Sequence, residues 1–124
     1  MGEHDDIRHA HEVDAAWLTA VLHAAGVGLG NTVASCTERS IGTGQVGENV
    51  RYTLAWRSDD ASLPATVVAK FPSVSETSRA TAKALSSYRN EVGFYRDVRP
   101  QVAIRTPHVH HIGWDDESHD FVLV

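Results

Sequence analysis

The apolar positions change period several times along the chain, and each change marks an element. Between Ala15 and Ala25, the residues Trp17, Leu18, Val21, Leu22 and Ala25 fall at spacings of 1, 3, 1 and 3, which is one helical face. Asp14 stands where an N-cap belongs, and Gly26 where a helix stops. Past the Gly/Asn-rich stretch Gly26–Asn31 the period falls to two. Val33–Ile41 interleaves apolar and polar residues, and in Val50–Trp56 the residues Val50, Tyr52, Leu54 and Trp56 share a face. Both segments predict strands. Ser58–Ser62 predicts a turn and Ala65–Phe71 a third strand, which Pro72 ends. In that strand Thr66, Val68 and Lys70 point one way and Val67, Ala69 and Phe71 the other, so burial on both faces is expected.

Ser73–Val98 predicts one long helix. Ser73 and Glu76 have capping-box spacing, and Arg99-Pro100 closes the segment. Ala84, Tyr88, Glu91 and Tyr95 recur at spacings of 4, 3 and 4, flanked by Leu85 and Val92, and this stripe is expected to meet the sheet. Two more strands follow, Thr106–Trp114 and His119–Val124, joined by a turn at Asp115–Ser118. The order predicts an α+β fold: an antiparallel five-stranded sheet with one long packing helix and an N-terminal helix, the helices on one side. Residues 1–30 read as an N-terminal helical extension and 31–124 as the unit that carries the sheet.

Composition narrows the classes. The chain has 124 residues, room for one domain, and is 42% hydrophobic and 22% charged, as a globular protein is. Its formal charge is -5 with no block of Lys and Arg, which gives nucleic-acid binding little electrostatic support. No apolar run reaches the roughly 18–20 residues of a membrane span. Cys36 is the one cysteine, and the N-terminal Met1–Asp6 is polar and acidic rather than a secretory signal. A cytoplasmic protein is expected.

Three features carry chemistry. Gly42, Gly44 and Gly47 form G-x-G-x-x-G. The dinucleotide use of that pattern needs a helix directly after it, whereas Asn49–Trp56 reads as a strand. Between two antiparallel strands, such a loop can instead turn backbone N–H groups toward phosphates, where a side chain would block close approach. Lys70 ends an apolar strand, so its ammonium either reaches solvent or needs an anionic partner. Glu91 lies on the stripe expected to pack on the sheet, where a carboxylate is costly unless paired, and Lys70 is the simplest partner. His108, His110 and His111 cluster on the fourth strand. His108 and His110 share a face that would suit a metal if His119 or Asp115 joined them.

Taken together, Ile41–Leu54, Val67–Ser73, Tyr88–Tyr95 and Phe121–Val124 resemble the N-terminal lobe of the aminoglycoside phosphotransferase-like and choline-kinase-like superfamily, and most of all its ecdysteroid-kinase-like branch. The resemblance spans about two-thirds of the chain. It implies a protein-kinase-like N-lobe that binds ATP, in which Gly42, Gly44 and Gly47 match the nucleotide loop. Lys70 matches the phosphate-binding lysine and Glu91 its ion-pair partner. Ile41 and Val68 match the apolar positions that sandwich the adenine. Asn49 stands where protein kinases carry valine, which favours the small-molecule kinases. The family's His-Gly-Asp loop and metal-binding aspartate, which lie in the C-terminal lobe, have no counterpart here. The resemblance therefore implies no catalytic residue in this chain. Magnesium ligands and the small-molecule acceptor's site would lie in that other lobe. The chain is expected to be a fragment, a truncated product or one half of a split kinase. The alternative is a non-catalytic interaction module on the same fold, in which a second copy or another partner would cover the interlobe face.

Overall fold

The computed structural model describes residues 7–41, 47–101 and 108–124. Helix α1 spans Ala15–Ala24, and strands β1, β2 and β3 span Val33–Ser40, Gly47–Trp56 and Thr66–Pro72. Helices α2 and α3 span Glu76–Ala84 and Ser87–Gly93, and strands β4 and β5 span Ile112–Trp114 and Phe121–Leu123. The five strands form one antiparallel sheet in the order β1-β2-β3-β5-β4.

Helix α1 begins as its sequence dictates. The Asp14 carboxylate accepts the Trp17 N–H at 2.8 Å, satisfying one of the donors that the first turn leaves free. Beyond the helix, Gly28 has φ +72°, and a Cβ there would sit 2.6 Å from the Trp56 ring, so this position admits only glycine. Trp17, Leu18, Val21 and Leu22 pack on Val50, Tyr52, Leu54, Val67, Ala69 and Phe71, and helix and sheet share this core.

The opposite face has its own core, in which Tyr88 and Val92 of α3 meet Trp114, Phe121 and Leu123. The helices therefore lie on both faces, not on one side. The reason is in β5, where Phe121 and Leu123 point to α3 while Val122 lies in the α1 core, so the strand is apolar on both faces and needs two covers.

The single helix expected over Ser73–Val98 is broken. Leu85 ends α2 and Ser86 takes φ +58°. A π turn, Phe94–Val98, and a 3-10 turn, Arg99–Gln101, follow α3. On one continuous helix, Ala82 would lie about 120° around the axis from Tyr88. Both belong to the same buried cluster, and the break brings them together. Ala84 is exposed and Leu85 is 69% exposed, so the apolar stripe holds at Tyr88 and Val92 but not through α2. Ser75, not Ser73, caps α2, accepting the Ser78 N–H at 3.2 Å.

Strand β3 is buried all along one face, at Val67, Ala69 and Phe71, whereas on the other Thr66 and Val68 are exposed, Lys70 is half-buried and Pro72 is buried, so burial on both faces holds only at its end. Among the described residues no helix packs on the other side of β1 and β2, which leaves that side of β3 uncovered toward its start. Strand β2 starts three residues before the expected Val50. Strands β4 and β5 are shorter than expected, and His108–His111 precede β4 rather than join it.

Candidate functional site

Strand β3 delivers Lys70 and helix α3 delivers Glu91. The lysine Nζ lies 2.8 Å from one carboxylate oxygen and 2.9 Å from the other, so both oxygens accept from the one ammonium. Each side chain is about one-third exposed, at 32% and 33%. The pair sits at the boundary between the α3 core and the bare part of the sheet.

Packing fixes both partners. On α3, Tyr88, Glu91 and Val92 lie at i, i+3 and i+4. The Tyr88 ring packs against Phe121 at 4.8 Å with the ring planes tilted by 52°, its hydroxyl accepts the Ser73 N–H at 3.0 Å, and Val92 is 1% exposed. Arg89 adds a clamp, donating to Asp116 at 3.0 Å and reaching the His119 Nε2 at 3.4 Å. On β3, Lys70 pairs with Asn49 on one side and Leu123 on the other. Gly47 pairs with Pro72, and a Cβ there would meet the Lys70 Cε at 3.1 Å and the Phe71 carbonyl at 3.0 Å. The third glycine of the motif thus makes room for the lysine's own stem, a role that spacing alone does not reveal.

The remaining sequence-predicted positions distribute as follows. The Ile41 N–H donates to the Asn49 carbonyl at 2.9 Å, which extends the β1–β2 pairing by a residue and sets Ile41 in the row of Asn49 and Lys70. Val68 lies two residues from Lys70 on the same face and is 43% exposed. Gly42 and Gly44 lie outside the described residues. The segment after Gly47 is strand, which overturns the dinucleotide alternative and its required helix.

The histidines do not assemble a metal centre: among the described residues no group of three or more His, Cys, Asp or Glu side chains is placed to hold a metal. The His108 and His110 rings meet edge to face at 4.8 Å. Burial, with His108 beside it, holds the His110 imidazole below its ordinary value. His119 is elsewhere, against Trp114, 7% exposed and also held down by burial. Burial raises the Cys36 thiol, with Asp14 and Glu38 adding to the effect, so it is not an activated nucleophile.

A cavity of about 840 Å³ lies away from the ion pair. It lies beside Phe71 and Pro72, between α2 and the turn at Ser118–Asp120, and its lining mixes Glu38, Glu48 and Glu76 with Arg79 and Lys83. Volume and chemistry point to different places. A mixed-sign lining names no ligand, whereas the Lys70–Glu91 geometry is specific, and the chemistry decides. No family of known proteins, no curated protein and no solved structure matches this chain. No helix among the described residues is long and apolar enough to cross a membrane.

Proposed function

We propose that this chain is the ATP-binding lobe of a phosphotransferase that phosphorylates a hydroxyl of a small molecule. The observation that carries the reading is the Lys70–Glu91 pair, an ammonium held in place by a helix carboxylate at the edge of an uncovered sheet face. A lysine oriented in that way offers its remaining N–H donor and its positive charge to phosphate oxygens, and phosphoryl transfer depends above all on such positioning and charge neutralisation. Ile41 and Val68 on the same face supply apolar surface for a base. The proposed role is nucleotide binding rather than turnover, because no His-Gly-Asp sequence occurs among the 124 residues. Metal ligands and a general base would come from outside them.

Calorimetric titration with ATP tests the reading. The wild-type chain should bind, Lys70→Ala should weaken binding by about tenfold or more, and Glu91→Gln by less, since it frees the lysine without removing it. ATP affinity indifferent to both substitutions would remove the proposal.

A further inference from the structure

Strands β1 and β2 set Arg39 directly opposite Arg51 on the uncovered face. Like charges directly opposed across strands weaken the pairing. Both arginines are exposed, and among the described residues neither makes an ion pair. Apart from Lys70, the residues that alternation puts beside them on this face of β1–β3 are uncharged. Glu38 and Glu48 turn to the other face, where they line the cavity beside Phe71. A chain of formal charge -5 thus collects three cations on one side of three strands. Glu91, arriving from α3, engages Lys70 and, among the described residues, no other cation. Arg51 opposes Val68, two residues along β3 from Lys70, which makes Arg51 and Lys70 diagonal neighbours about 7–8 Å apart. Long side chains converge across that distance.

We propose that Arg39 and Arg51 form a second phosphate subsite on this face, so that the ligand at Lys70 is a polyphosphate-bearing molecule gripped at two points. The inference rests on reading Lys70–Glu91 as a phosphate site, and it adds what the face selects: the number of phosphates more than the base. Guanidinium groups suit the task because their planar forks bond phosphate oxygens in pairs. The apolar area offered to a base is thin by comparison, since polar Asn49 separates Ile41 from Lys70 in the same row.

Titration calorimetry at low salt with inorganic tripolyphosphate, ATP, AMP and adenosine tests it, using the wild-type chain, Arg39→Gln, Arg51→Gln and Lys70→Ala. Tripolyphosphate should bind within about tenfold of ATP. Each arginine substitution should weaken both by roughly three- to tenfold and leave AMP within about twofold, and added salt should shrink these differences. Urea midpoints of the arginine variants should equal or slightly exceed wild type, because an opposed like-charge pair has been relieved. Arginine variants that bind tripolyphosphate as wild type does would overturn the subsite, as would adenosine binding as tightly as ATP. ATP binding that needs Lys70 but neither arginine removes the subsite alone. Tripolyphosphate binding that needs the arginines and not Lys70 supports the subsite and removes the nucleotide reading. Binding of no probe removes both.

Discussion

The two faces that β1, β2 and β3 present differ sharply. On the α1 face, Val50, Tyr52, Leu54, Val67, Ala69 and Phe71 are buried under a helix. One residue over on each strand, Arg39, Arg51 and Val68 are exposed, and Lys70 keeps about a third of its surface in water. The difference teaches that in β1–β3 the core residues set the register, while their alternate neighbours are free to carry chemistry. A slip of one residue would bury three cations and expose six core side chains, so the fold itself holds the charged face open.

The largest effect should come from opposite sides of a single strand. Phe71→Ala removes a ring that is 1% exposed and should cost about 3–5 kcal/mol in urea-induced unfolding. Val68→Ala, three residues earlier on the bare face, should stay within about 0.5 kcal/mol, as surface changes do. Equal losses at the two positions would mean that something covers the bare face in solution, and the contrast between the faces would fail.

A smaller effect separates the faces by pH. On the α3 side, burial holds His119 below its ordinary value of 6.5, with Arg89 and Lys83 adding to the shift and Asp116 and Asp115 opposing it. Below that pH the unfolded chain takes up a proton that the folded chain refuses. The stability is therefore full above it and falls as pH drops toward the folded value. His110 acts in the same direction. On the α1 side, burial raises Tyr52 and Cys36, so their contribution is lost only in alkali, where the unfolded chain releases protons first. His119→Asn, chosen because asparagine tolerates the positive φ of 61°, should flatten part of the acid limb of stability against pH and leave the alkaline limb unchanged. An unaltered acid limb would show that His119 is free to protonate in the fold.

Much of the fold is legible in the chain because local pattern and tertiary packing agree there. Asp14, Trp17 and Leu22 announce α1, and the alternation of Val50, Tyr52 and Leu54 announces a half-buried strand. Lys70 and Glu91 are legible as a pair because each is out of place among apolar neighbours, and pairing answers both. What escapes depends on non-local geometry. Nothing in Val122 alone says that it faces a different helix from Phe121 and Leu123, so the two-sided cover of β5 stays hidden. The opposed Arg39 and Arg51 stay hidden because register, not composition, brings them together. The helix break escapes because Leu85 fits the stripe by spacing, and only the shared burial of Ala82 and Tyr88 shows that the stripe cannot be continuous.

That break is also where the two environments join. Helix α2 lends Arg79, Ala80 and Lys83 to the cavity beside Phe71 on the α1 side, whereas α3 carries Glu91 to the other. Ser86 turns the chain between them at φ +58°, a left-handed conformation that costs a non-glycine residue about 1–2 kcal/mol. As the residue before α3 it makes no side-chain capping bond, so its hydroxyl gives nothing back in that role. Ser86→Gly relieves the strain and loses part of the gain to the greater freedom of glycine in the unfolded chain. A net stabilisation of about 0.5–1 kcal/mol in urea titration is expected, with ATP affinity unchanged because Tyr88 and Val92 still orient Glu91. Destabilisation would mean that the serine side chain holds the turn. An affinity loss without destabilisation would mean that the angle between α2 and α3, rather than packing on Phe121 and Leu123, is what aims Glu91 at Lys70.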